Sequence, residues 1–227
     1  MIARRNLAIV LSVAFGLLAA RASAAAELPP ISVSAGYASE VFTSRSYDLV
    51  DSDDHLPMFR IGAGYQLRQF SFGMLDVEGA FHTGGAGESV HVVNTSGLAF
   101  RGVELGGNLR RSVWTHFEPY AHLGVGYDWA TLTLNGGASL TQTVSRPAVN
   151  GMLGFQIPMP LALTENAPAL IIDIGVGYTL RPGFGFHELR APEPVKQPDD
   201  PIASAAVNVG TLPLSGISYR IGLTFRL

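Results

Sequence analysis

The last residues of the chain read Leu214-Ser-Gly-Ile-Ser-Tyr-Arg-Ile-Gly-Leu-Thr-Phe-Arg-Leu227. Ile217, Tyr219, Ile221, Leu223, Phe225 and Leu227 are apolar, and Ser218, Arg220, Gly222, Thr224 and Arg226 between them are polar or glycine. Alternation with a period of two is the signature of a strand with unlike faces. A soluble strand can alternate in this way. A transmembrane barrel strand must, because one face meets lipid and the other a polar lumen.

Seven further segments carry the same pattern. A tilted membrane strand needs about 9–11 residues, and the expected strands are Ile31–Phe42, Pro57–Arg68, Phe70–Thr83, Gly97–Val113, Phe117–Leu134, Pro147–Ile157 and Ala169–Arg181. Phe70, Phe72 and Met74 break parity in the third, which predicts a bulge near Gly73 or aromatics at a rim. Gly84-Gly85-Ala86-Gly87 reads as the start of a long connection, Asn135-Gly136-Gly137 as a turn, and Pro182–Pro213 as a stiff, extended loop. The first, third, fifth and seventh connections are long, the second and fourth short, and the sixth intermediate. Barrels of the bacterial outer membrane have short periplasmic turns, longer outer loops and an even strand count. The expected fold is all-β: an eight-stranded antiparallel up-and-down transmembrane β-barrel. A count of ten is the alternative, if Glu88–Val93 and Ala203–Gly210 are strands of their own rather than extensions above the membrane.

The opposite end of the chain points the same way. Met1-Ile2-Ala3-Arg4-Arg5 precedes an apolar run from Leu7 to Ala20, followed by Ala22-Ser23-Ala24. A charged start, a short apolar middle and a small-x-small end make a secretory signal peptide, and the run is shorter than the roughly 20 residues of a spanning helix. Residues 1–24 are therefore expected to be cleaved, with Ala26 as a second possible site, leaving a barrel domain over 25–227 and export to the bacterial outer membrane. No cysteine occurs, which excludes disulfides, thiol catalysis and a lipid-modified N-terminus. Only 15% of residues are charged, against about 25% in ordinary soluble domains, and the mean hydropathy is +0.25. Losing Arg4, Arg5 and Arg21 with the leader leaves 12 basic against 18 acidic residues, a net charge of −6 with Lys196 the sole lysine. Such a chain is a poor partner for nucleic acid.

Arg220-x-Gly222-x-x-Phe225-x-Leu227 resembles the C-terminal sorting signal of bacterial outer-membrane proteins, with Leu227 where phenylalanine is usual. The resemblance extends over the mature chain to the small barrels of the OmpA membrane domain, OmpX and OmpW type. It implies outer-membrane lipids as surroundings and recognition of Arg220, Gly222, Phe225 and Leu227 by the barrel assembly machinery. No peptidoglycan-binding domain is expected after the barrel.

Eight strands enclose an interior just wide enough for side chains. Parity places Glu40, Asp76, Glu78, Glu104, Glu118, Asp128 and Asp173 inward, with Arg60, Arg68, Arg110, Arg181 and Arg220. Near-balance of the two signs predicts a salt-bridged plug; a narrow conduit for small solutes, as in OmpW, is the alternative. Glycines such as Gly62, Gly64, Gly124, Gly126, Gly175 and Gly177 leave room for water or for curvature. His82 and His122 point inward beside acids, but no serine stands near either in a recognisable motif. No catalytic residue is assigned, and a lipid A-modifying enzyme is the third reading. Asp51, Asp53 and Asp54 lack the glycine and distal glutamate of a calcium loop and read as solvated charge, so no metal or cofactor is expected. The leading reading is a non-enzymatic barrel, structural or acting through its exposed loops on an extracellular ligand.

Overall fold

A computed structural model describes residues 31–42, 47–48, 50, 54–91, 94–114, 116–136, 138–160, 168–190 and 207–227. The segment expected to be a signal peptide, residues 1–24, and Asp51 and Asp53 of the acidic triplet lie outside the described residues. Ten strands follow in chain order: β1 (Ile31–Phe42), β2 (His55–Phe70), β3 (Gly73–His91), β4 (Asn94–Arg110), β5 (Glu118–Gly136), β6 (Ala138–Pro160), β7 (Ala169–Leu180), β8 (Phe184–Phe186), β9 (Gly210–Leu212) and β10 (Gly216–Arg226). Eight of them close an antiparallel barrel in the order β1-β10-β7-β6-β5-β4-β3-β2, and β8 with β9 forms a separate two-stranded sheet. No helix among the described residues is long and apolar enough to cross a membrane, which says nothing of a crossing made by strands.

Closure is made by the terminal strand. β10 pairs with β1 from Ser32↔Arg226 to Phe42↔Gly216, and the Leu227 N–H donates to the Ile31 carbonyl at 2.8 Å. Neither strand keeps an open edge over that length, as a sheet in lipid requires.

Two connections differ from the sequence expectation. The third and fifth are not long loops. β3 and β4 stay paired from the membrane to His91↔Asn94, and β5 and β6 to Gly136↔Ala138. β3 to β6 are therefore 17 to 23 residues long, against 11 or 12 for β1, β7 and β10. A four-stranded sheet stands above the rest of the barrel. The glycines of residues 84–87 belong to β3, not to a loop; a Cβ on Gly85 would lie 2.7 Å from the Leu98 carbonyl oxygen, so glycine is what the close pairing needs there. Of the two readings of the parity break, aromatics at a rim fit: Phe70 and Phe72 stack at 5.2 Å about the turn between β2 and β3. The register shifts between Gln66 and Arg68, so the bulge is at Leu67 of β2 rather than near Gly73.

The outward face is an apolar belt. Leu105, Leu123, Val125, Leu153, Val176, Ile221 and Leu223 are all exposed, Leu123 and Leu153 at 67%. Exposed apolar surface this continuous is incompatible with water and is what a lipid-facing wall presents. The inward positions of the same strands carry charge.

Above one level the two faces exchange character. Cross-strand pairing joins Phe59, Thr83, Arg101, Trp129 and Ser145 into one outward row. Beyond that row the outward residues of β5 and β6 are Thr131, Thr133, Asn135, Ser139, Thr141 and Thr143, while inward Phe100, Ala130, Leu98 and Leu132 are buried in an apolar cluster. Inside the membrane the lumen is the polar side; above it the interior becomes a hydrophobic core, as in any sheet with one face in water.

Candidate functional site: the charged lumen and its apolar cover

The interior is organised in three layers. Nearest the chain termini, Arg110 is the hub. Its Nε donates to Asp76 Oδ2 at 2.6 Å, Nη1 to Glu118 Oε2 at 3.1 Å and Nη2 to Gln66 Oε1 at 2.9 Å. Arg226 completes this layer, with Nη2 donating to Gln156 Oε1 at 3.0 Å and to Glu118 Oε2 at 3.3 Å.

The middle layer has two hubs. Arg60 bridges Glu78 at 2.7 Å and Glu104 at 3.0 Å. Arg220 donates through Nε to Asp173 Oδ1 at 2.9 Å and through Nη2 to the Tyr120 hydroxyl at 3.0 Å. Tyr120 in turn donates to Asp173 at 3.1 Å. Asn108 links Glu78, at 3.1 Å, to His122 Nδ1, at 2.8 Å, and His122 Nε2 lies 3.2 Å from Glu104.

The upper layer centres on Arg181. Both Nη groups donate to Glu40, Nε donates to Asp128 Oδ2 at 2.5 Å, and Nη1 also donates to the Leu214 carbonyl at 2.8 Å. His82 Nε2 lies 2.9 Å from Asp128 Oδ1, and the Arg181 guanidinium sits 5.0 Å from the Phe100 ring centre. Charges this deep are tolerable only when each is paired and hydrogen-bonded; the multidentate arginine contacts do this.

Above Arg181 lies the apolar cover. Phe184, Phe186, Leu189, Leu212 and Leu214, from the segment between β7 and β10, are at most 2% exposed. They pack against Phe42, Met58, Leu98, Phe100 and Leu132 of the barrel wall, with Phe100 and Phe184 edge to face at 6.3 Å. Arg181 and Arg146 hold the base of this hairpin. Arg181 holds the Leu214 carbonyl, and Arg146 Nε donates to the Gly183 carbonyl at 3.0 Å. Ser215 Oγ accepts from the Arg181 N–H and donates to the Arg181 carbonyl, at 2.8 and 2.9 Å.

Of the residues assigned to the lumen from parity, Glu40, Arg60, Asp76, Glu78, Glu104, Arg110, Glu118, Asp128, Asp173, Arg181 and Arg220 share these three layers. Arg68 does not. The extra residue Leu67 reverses its parity, and Arg68 is exposed, lying 5.2 Å from the Phe70 ring centre. Sequence reasoning passed over Arg226, although its parity in the terminal alternation puts it inward. It passed over the hairpin too: Pro182–Pro213 is not simply an extended exposed loop. The short alternations Phe184-Gly-Phe186 and Leu212-Pro-Leu214 were the available signal. Of the residues expected to form a sorting signal, Arg220 points inward, Gly222 faces Gly36 across the closure, and Leu227 bonds to Ile31.

Cavities of about 50 Å³ lie among the described residues toward the termini and beneath Arg181, with Arg60 and Arg220 in the walls of both. Both are polar enough to hold water. The two histidines are engaged with interior partners and face away from the lipid. Among the described residues no group of three or more His, Cys, Asp or Glu is arranged to hold a metal ion.

No protein-family model and no curated protein matches this sequence. Solved structures do match. Ail, the attachment invasion locus protein of Yersinia pestis, crystallised with the heparin analogue sucrose octasulfate, aligns at 17% identity over 88% of this chain and 99% of its own, with a TM-score of 0.49. Ail without that compound gives 18% identity over the same shares and a TM-score of 0.47. Neisserial surface protein A gives 12% identity over 87% of this chain and 94% of its own, with a TM-score of 0.43. Strand order, closure and the apolar exterior make this chain an eight-stranded antiparallel up-and-down transmembrane β-barrel.

Proposed function

We propose that the protein is an integral barrel of the bacterial outer membrane, without enzymatic activity, whose lumen is closed and whose working surface is its extracellular end. The observation that supports this most is the double obstruction of the interior. Arginine-centred layers cross the lower and middle lumen, and the β8–β9 hairpin fills the upper part with Phe184, Phe186 and Leu212. A barrel so occupied has nothing to conduct, which leaves the sheet of β3 to β6 and the outer connections as the parts available to a ligand. Outer-membrane placement rests on the N-terminal leader pattern, the terminal sorting motif and the lipid-facing belt.

The inward histidines weigh against lipid modification, since an acyl-ester substrate would approach from the opposite face of the wall. The two cavities favour a second reading, a narrow water-filled path between polar side chains. Planar-bilayer recording of the refolded protein decides between the two. A flat current at 100 mV (roughly a resting-potential scale) is expected, and steady discrete openings would replace the closed barrel with the conduit.

A further inference from the structure

The level at which inside and outside exchange character marks where the wall leaves hydrocarbon. Arg101 stands on that level. Apart from Arg68 at the terminal rim, it is the only Arg, Lys, Asp or Glu at an outward-facing position among the described residues of the eight barrel strands. It makes no ion pair with any described residue, unlike the lumen arginines. Its outward cross-strand neighbours are Thr83 and Trp129. Trp129 packs edge to face on Tyr127 at 5.2 Å, and the Tyr127 hydroxyl lies 3.0 Å from Ser145 Oγ. Tryptophan and tyrosine so placed are interfacial anchors, apolar in body and polar at the tip.

Directly above runs a ladder of hydroxyls on the outward face of β5 and β6. Thr131 faces Thr143, with the two Oγ1 atoms 2.8 Å apart, and Thr133 faces Thr141 on the next rung. Asn135 then donates to Thr95 Oγ1 at 3.1 Å. Within β5 and β6 this face carries no charge and no large aliphatic side chain, although it adjoins the most apolar surface of the molecule; beside it Arg190, whose backbone bridges Thr141, is ion-paired with Glu188 at 3.1 Å. Threonine suits any strand, but strand preference does not explain a guanidinium at the foot of the ladder without an ion pair among the described residues.

We propose that Arg101, Trp129 and the ladder of Thr131–Thr143 and Thr133–Thr141 form a contact site for a phosphorylated sugar headgroup, that of the glycolipid surrounding the barrel. The guanidinium takes the phosphate, whose oxygens match its fork. The hydroxyls exchange hydrogen bonds with the sugar. The neighbouring apolar belt packs on the acyl chains. The site rests on the outer-membrane placement proposed above.

The test uses full-length mature protein refolded in neutral detergent and titrated in native mass spectrometry. The probes are diphosphorylated lipid A, the same glycolipid without phosphates, and phosphatidylglycerol. Wild type is expected to retain diphosphorylated lipid A most tightly. Arg101→Ala weakens that adduct about ten-fold, the loss of one charge-assisted contact, and Arg101→Lys restores part of it. The double variant Thr131→Val/Thr143→Val keeps the branched strand residues but weakens both glycolipids and leaves phosphatidylglycerol unchanged. Undiminished binding of lipid A to Arg101→Ala would overturn the site. So would equal binding of phosphatidylglycerol and lipid A to wild type. Failure of the underlying placement has a different signature: absence of the protein from the outer-membrane fraction of expressing cells, whatever the adducts formed in detergent.

Discussion

Replacing Arg181 by alanine removes the arginine that bridges two buried carboxylates and at the same time releases the base of the hairpin. The side chains of Glu40 and Asp128 are 4% and 0% exposed. His82, 2.9 Å from Asp128, is the only other basic partner in that layer among the described residues. Breaking a buried pair by removing one partner costs about 3–5 kcal/mol. Part of that is recovered if the upper lumen opens and admits water, so the hairpin is expected to lift rather than the barrel to unfold. A shift of about 3 kcal/mol in its closing equilibrium raises the open population about a hundred-fold. The chain has no cysteine, so a single Phe184→Cys substitution reports that population through its rate of thiol labelling. Phe184 is fully buried. The thiol is expected to react slowly in the parent and about a hundred-fold faster with Arg181→Ala. Glu40→Gln with Asp128→Asn in the same background removes the unpaired charges and should slow it again. Fast labelling in the parent would refute the buried hairpin. Equal slow labelling with and without Arg181 would refute its role as the clamp.

Removing Phe225–Leu227 is expected to abolish membrane assembly in cells, read as loss of the heat-modifiable band, because it takes away the proposed sorting end together with the last rungs of the β1–β10 closure. Arg220→Ala should still assemble but lose about 3 kcal/mol in urea unfolding, since Asp173 and Tyr120 are left buried without it; unchanged stability would mean that the middle layer relaxes. Leu123→Arg, on the lipid face at 67% exposure, should cost about 2–4 kcal/mol if that position lies near the bilayer midplane, whereas Thr133→Arg on the ladder above it should cost far less; equal penalties would show that the membrane boundary has been drawn at the wrong row.

The terminal alternation from Ile217 to Leu227 determined most of the fold by itself. A strand's side-chain period is two whatever it packs against, so parity alone sorted Asp173, Arg220 and the outward Ile221 and Leu223 to their faces. The same rule sorted the other seven strands, because inside the membrane each wall position has a single environment. Parity fails wherever one residue is inserted. Leu67 reverses Arg68, and nothing in the local sequence distinguishes that residue from an ordinary lipid-facing leucine. The rule also fails above the membrane, where water replaces lipid outside and the inside turns apolar. Residues 138–146 then read as a loop, because Thr141, Thr143 and Ser145 occupy positions that lower down hold leucine or valine. Only the tertiary structure decided which segment supplies that apolar interior. Phe184 and Leu212 are separated by a long stretch of chain, and each alternation is too short to announce a strand. Their burial depends on a cavity built by Phe100, Leu98 and Leu132 from elsewhere in the chain. The pairing of Arg181 with Glu40 likewise spans β10, between the two strands that flank it, and is set by closure rather than by any local pattern.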